Sequence, residues 1–260
     1  MGVRLDNARG LYIEGIRDGN MEAATEKYLG ARYTQHSTGV KDGKAGFLEF
    51  FGDFVKRNPE RDIEIVRGFE DGRFVFVHAA QSLNGGESRW ITADIFDTDE
   101  QARIIEHWDV IAEQVDETAS GHTQVDGPTE PTDLERTDAN KALVAGFLET
   151  VLQDGQFDRI SDYVSSETYI QHDPQVGDGL EGLDAFAASL AEQGLSMRYL
   201  KTHLLVGSGS LVAALSEMDL GGTGWAVIDL FRVADGKIVE HWDVMEPLPP
   251  ADELANSGKF

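Results

Sequence analysis

The string Glu106-His107-Trp108-Asp109-Val110 recurs as Glu240-His241-Trp242-Asp243-Val244, 134 positions later. Outward from it, Asp94-Ile95-Phe96 matches Asp229-Leu230-Phe231 at an offset of 135, and Tyr33-Thr34-Gln35-His36 matches Tyr169-Ile170-Gln171-His172 at 136. Asp18-Gly19 pairs with Asp154-Gly155 and Asp42-Gly43 with Asp178-Gly179. Offsets this constant imply one ancestral unit written twice, with a few loop changes. The expected organisation is a first copy over 1–116, a linker over 117–136, a second copy over 137–250 and a tail over 251–260. The linker has no apolar periodicity and carries Gly and Pro breakers. The tail follows Pro247-Leu248-Pro249-Pro250 and is expected to fray.

Each copy repeats one order of elements. In the second, Thr137-Asp138 offers good helix N-caps. Leu143, Val144, Phe147, Leu148, Val151 and Leu152 then recur at helical spacing, and Asp154-Gly155 stops the helix. Short helices are expected over Phe157–Val164 and Leu183–Leu190, with a short strand at Thr168–Gln171 between them. Three longer strands, Met197–Val206, Leu211–Met218 and Trp225–Val233, follow; Asp235-Gly236 turns the last into a fourth, Lys237–Met245. The first copy reads the same way as Ala8–Arg17, Met21–Leu29, Tyr33–His36, Phe47–Lys56, Ile63–Phe69, Arg73–Ser82, Trp90–Phe96 and Arg103–Val110. Three helices on a curved antiparallel sheet make an α+β, cone-shaped domain with a pocket, here in tandem.

Composition excludes several classes. With 22 Lys+Arg against 47 Asp+Glu the formal charge is −25, which repels phosphate backbones and anionic headgroups, so neither nucleic acid nor a membrane is an expected partner. Only 8 of the basic residues are Lys, a balance that fits either plain solubility or life in high salt. There is no cysteine, hence no disulfide, thiol nucleophile or thiolate metal site. The polar start, Met1-Gly2-Val3-Arg4-Leu5-Asp6, carries no secretory apolar run, and a cytoplasmic protein is expected.

The strings Tyr169-Ile170-Gln171-His172-Asp173-Pro174 and Val227-Ile228-Asp229-Leu230-Phe231-Arg232-Val233, the latter continuing to Glu240-His241-Trp242-Asp243-Val244, resemble the SnoaL-like branch of the nuclear transport factor 2-like superfamily, as do their first-copy counterparts. The resemblance spans both copies, omits linker and tail, and is specific for fold rather than substrate. It implies ketosteroid isomerase, polyketide cyclase, epoxide hydrolase, dehydratase or binding-only roles, with aldol-type, isomerase or hydratase chemistry as the expectation for this chain.

Strand parity places Asp229 beside Val227 and Phe231, where desolvation would favour its protonated form; Asp94 is its first-copy match. The resemblance makes these the oxyanion partners, the alternative being a solvent-facing aspartate. It places His36 and His172 where the isomerases keep their base, an imidazole being competent near neutrality; the alternative is a histidine bonded to the turn backbone. It turns His107 and His241 toward the pocket as proton relays, and Trp108 and Trp242 outward, where the two copies would cover each other as an internal pseudo-dimer or a homodimer would form. His78 has no second-copy match and reads as a structural group. His36, Asp94 and His107 make a facial triad only on paper, so neither metal nor cofactor is expected. Gly207-Ser208-Gly209-Ser210 is no nucleophile elbow. The expected function is cofactor-free acid–base chemistry next to the carbonyl of a small apolar substrate. The rivals are a non-catalytic binding or scaffold module and a metal-dependent enzyme.

Overall fold

The computed structural model describes residues 2–260, in two compact units. Unit one runs to Glu113 and also takes in Pro249–Phe260; unit two is Gln114–Leu248. In unit one, α1 (Val3–Gly10) continues as a π-helical turn, Leu11–Arg17, before α2 (Met21–Tyr28), β1 (Leu29–Gln35) and α3 (Gly43–Arg57). The meander β2 (Arg61–Asp71), β3 (Phe74–Leu83), β4 (Ser88–Thr98) and β5 (Ile104–Glu113) follows. Unit two repeats the plan with α4 (Thr137–Phe147), a π-helical Leu148–Gln153, α5 (Ile160–Tyr163), β6 (Ile170–Gln171), α6 (Gly179–Glu192), β7 (Met197–Ser208), β8 (Leu211–Leu220), β9 (Thr223–Ala234) and β10 (Lys237–Pro247).

The two five-stranded sheets have matching orders, β1-β5-β4-β3-β2 and β6-β10-β9-β8-β7. The fold is therefore α+β, as the sequence predicts, with one refinement: the first strand of each sheet pairs in parallel with the last, while the other four run antiparallel. Asp42 fixes that first strand to the helix behind it: its Oδ1 accepts the Gln35 N–H at 2.7 Å from the N-terminus of α3, and Asp178 repeats the bond to Gln171 at 2.8 Å. Burial follows the periodicity. Leu11, Ile16, Tyr28, Phe47, Val75 and Val77 fill the space between helices and sheet in unit one; Val144, Phe147, Val151, Val212, Val227 and Phe231 do so in unit two. Among the described residues no helix is long and apolar enough to cross a membrane.

The expected linker and tail are structured, because both are held by single polar bonds that need no apolar period. The Ala119 N–H donates to Pro174 O at 3.0 Å, and the Ala255 N–H to Thr38 O at 3.1 Å, so the two segments make the same bond 136 positions apart. Asn256 Nδ2 donates to Ser37 O and Val40 O, and Ser120 Oγ to Gln171 O. Each segment is thus a strap on its unit. Gly127, at φ +89°, lets one strap close on β10: a Cβ there would lie 2.5 Å from Glu240 Oε1 and 2.8 Å from Trp242 Cζ2. Gly127→Ala is expected to destabilise unit two by about 1–3 kcal/mol through overpacking and left-handed strain, read by urea denaturation.

Candidate active site

Each unit holds a cavity between its helices and the inner face of its sheet. In unit one the volume is about 420 Å³, within the size range of small-molecule sites. Its wall is aromatic, built from Phe47, Phe50, Phe51, Phe54, Trp90 and Phe96. Tyr12, Tyr33, Ser37, His107 and Asp109 supply polar atoms. The corresponding cavity in unit two is about 80 Å³ and is lined by Tyr169, Gln171, Asp173, Asp229, His241 and Asp243 among apolar side chains.

A hydrogen-bond chain, buried or partly buried, runs along the wall of each cavity. In unit one Tyr12 OH donates to Asp94 Oδ1 at 2.7 Å, and the same oxygen lies 2.8 Å from His107 Nε2. His107 Nδ1 reaches Gln35 Oε1 at 2.9 Å, an oxygen already accepting the N–H groups of His36 and Ser37. That orientation leaves Gln35 Nε2 to donate to Tyr33 OH at 3.1 Å. The Tyr33 hydroxyl hydrogen is therefore free to be donated elsewhere. Unit two has the same chain: Tyr199 OH to Asp229 Oδ1 at 2.9 Å, His241 Nε2 to Asp229 Oδ1 at 3.0 Å, His241 Nδ1 to Gln171 Oε1 at 3.0 Å, and Gln171 Nε2 to Tyr169 OH at 3.3 Å. The phenol on the aspartate comes from the π-helical turn in one unit and from β7 in the other.

Asp94, Asp229, His107 and His241 all face inward; Asp94, Asp229 and His107 are buried, and His241 is half-buried with 12% of its side chain exposed. Asp94 sits behind the cavity wall, whereas Asp229 is on it. Both ring nitrogens of His107 and of His241 face oxygen atoms of the chain, so neither imidazole has one left for a ligand.

His36 and His172 are a correction. Neither is among the residues that line the cavity of its unit; each stacks on the outward Trp of its unit, His36 on Trp108 with ring centroids 5.0 Å apart and His172 on Trp242 at 4.6 Å. His36 Nε2 lies 3.1 Å from Glu106 Oε1, and His172 Nε2 2.9 Å from Glu240 Oε1. Their Nδ1 atoms donate to strap carbonyls, of Gly258 at 2.5 Å and of Thr123 at 2.7 Å. The cause is alternation along β1: Tyr33 and Gln35 point in, so His36 points out. Trp242 is covered by the strap as well, its Nε1 donating to Asp126 O. His78 is buried and accepts from Arg67 at 2.9 Å.

The residues after those histidines, Ser37 and Asp173, face the cavities instead and give them opposite electrostatics. In unit one, burial would raise the Asp109 pKa, but the Lys259 ammonium, with His107 and the Ser37 hydroxyl, outweighs it and holds the carboxyl below its ordinary value. In unit two, burial and then the Asp173 and Asp229 carboxylates push Asp243 well above it, and Asp173 and Asp243 are hydrogen-bonded to each other. Burial raises Asp94, only partly offset by His107. Burial, then the Asp109 charge, keeps Tyr33 protonated far above the ordinary phenol range; Tyr169 behaves likewise beside Asp229 and Asp243.

Sequence reasoning missed Gln35, Gln171, Tyr33, Tyr169, Asp109 and Asp243 as site residues, although all six lie inside the repeated strings. It also missed that Asp94, His107 and Asp109 bring ligand-type atoms within 4.8 Å of one another, with His107-x-Asp109 sharing one strand face. Those atoms are bonded within the chain, to Tyr12, Gln35, Ser37 and Lys259.

A family model described as a SnoaL-like domain matches residues 144–241. Among solved structures, a protein assigned as a polyketide cyclase from Bacillus cereus is 18% identical, over 42% of this chain and 73% of that one, with a TM-score of 0.37. A SnoaL-like polyketide cyclase from Agrobacterium tumefaciens is 17% identical over 41% and 91%, TM-score 0.34. An epoxide hydrolase of the LEH-like type from Mycobacterium tuberculosis is 22% identical over 43% and 85%, TM-score 0.35. No curated protein matches the chain.

Proposed function

We propose, taking the match of residues 144–241 to a SnoaL-like domain as the premise, that the protein is a cofactor-free acid–base enzyme whose working cavity is that of unit one. The observation carrying the reading is that Tyr33 and Asp109, a protonated phenol and an ionised carboxyl, meet in an aromatic-walled space large enough for a small apolar ligand. A ligand carbonyl oxygen accepts the Tyr33 hydrogen. Asp109 takes a proton from the adjacent carbon, and the negative charge that develops on oxygen is met by the fixed phenol. Returning the proton at another carbon isomerises the ligand; attack of the same enolate on a second carbonyl closes a ring. Asp94 and His107 act behind this pair, orienting Gln35 and through it Tyr33. In unit two, Asp229 and His241 hold Tyr169 in the same way, but the small cavity and protonated Asp243 favour a non-catalytic role there.

Enolisation is testable without knowing the final product. Deuterium wash-in from D2O to the α-carbon of 2-tetralone, a bicyclic aromatic ketone, should be accelerated by the protein and saturate with ketone. Tyr33→Phe, which removes the carbonyl donor, should slow it by about 10²–10³-fold, the scale of one oxyanion donor. Wash-in at the buffer rate for 2-tetralone and for smaller and larger aryl ketones would sink the enzymatic reading.

A further inference from the structure

We propose that Lys259, delivered by the C-terminal strap, is a positioning residue of the unit-one cavity: its ammonium pairs with the Asp109 carboxyl and fixes it at the cavity wall. The idea rests on the catalytic reading of Asp109 above, although the pairing itself can be tested apart from it. Lys259 Nζ lies 3.0 Å from Asp109 Oδ1, and the two side chains are 2% and 7% exposed. A lysine is rarely buried without a specific partner, because desolvating its charge is costly. Here it sits at the end of a strap, next to the Gly258 carbonyl that binds His36 and three residues after Asn256, which is tied to Ser37 O and Val40 O. These bonds fix the segment that presents the ammonium. Lys259 is not among the side chains that wall the cavity, so it acts through Asp109 rather than on a ligand.

The second unit supplies the internal comparison. Its strap makes the equivalent bonds, Ala119 to Pro174 and Thr123 to His172, but the residue after Thr123 is Gln124, whose Oε1 accepts the Val115 N–H at 2.9 Å. Where unit one has Ser37 beside Asp109, unit two has Asp173 beside Asp243. Two exchanges at matching positions, Lys259 for Gln124 and Ser37 for Asp173, thus change the charge around the same strand carboxyl in one direction. The strap both closes the outer face and sets the charge state of one cavity.

The full chain, labelled with ¹³C and ¹⁵N, tests this by titrating the Asp109 carboxyl carbon and the Lys259 Cε together. Besides each other, the groups facing Asp109 are His107, Asp94, Ser37, Tyr33 and Tyr12. In the native protein the Lys259 signal should show a step at the pH where Asp109 titrates. In Lys259→Met the Asp109 midpoint should move upward, carrying the acid limb of the wash-in profile with it, and Lys259→Arg should restore both. An unmoved Asp109 midpoint in a folded Lys259→Met protein overturns the proposal. If that variant does not fold, absence of the shared step in the native protein overturns it instead. Should the shared step and the shift appear while wash-in stays at the buffer rate, the pairing stands and only the enzymatic reading falls.

Discussion

Asp109→Asn should lose about 10²–10⁴ of the wash-in rate, the range a positioned general base supplies. Asparagine nearly preserves the shape and still offers an oxygen to Lys259, but it cannot take a proton from carbon. The substitution also strands a buried ammonium, and breaking one side of such a pair costs about 3–5 kcal/mol. Lost activity could then be mistaken for lost structure. The double variant Asp109→Asn/Lys259→Met separates the two: removing the ammonium should recover much of the stability while leaving the protein equally inactive. Asp243→Asn in unit two should leave wash-in at the native level, because that carboxyl is already protonated and its cavity is small. Full wash-in by the folded double variant would remove Asp109 from the mechanism.

A stability effect of the same size is expected at Glu240. This carboxylate is buried and bonded to His172 Nε2 and Arg232 Nε. Burial works against its charge, but His172 and Arg232 outweigh that and hold its pKa below the ordinary value of 4.5. Glu240→Ala leaves two donors without their acceptor and is expected to cost unit two about 3–5 kcal/mol. Its counterpart Glu106 is 20% exposed and bonds the buried His36 Nε2 and an Arg32 that is 57% exposed, so Glu106→Ala should cost unit one less, about 1–3 kcal/mol for the stranded imidazole. Amide hydrogen exchange resolved by sheet would report the two losses separately; equal losses would contradict the assignment. The pH dependence follows from the lowered pKa: Glu240 contributes fully above 4.5, and the contribution fades as pH falls below it toward the folded value. Asp243 has the opposite sign. Its raised pKa means that ionisation at higher pH opposes the fold.

The repeat made the architecture legible, because identical strings at a nearly constant offset require matching elements; alternation then set Asp94 and Asp229 among apolar neighbours, and the resemblance turned His107 and His241 inward. The same rule applied to Tyr33-Thr34-Gln35-His36 would have turned His36 outward: Tyr33 is the residue that belongs in a core, and Gln35 shares its face. Resemblance, rather than parity, had placed the histidine inside. The phenols on the aspartates were not legible by any such rule. Tyr12 and Tyr199 occupy unrelated positions in helix and strand, and only the closed fold brings each hydroxyl to the matching aspartate of its own unit, Asp94 and Asp229. The straps were illegible for a different reason: a segment fastened by individual polar bonds has no hydrophobic rhythm to read.

The straps also change what one half of the molecule means. The stretch that follows β5 completes unit two, and the stretch that follows β10 completes unit one. A gene cut at the midpoint would therefore encode two fragments, each carrying the other's closing piece and missing its own. Such a pair should regain its native form only when mixed, and selection has little room to discard or shuffle either half alone.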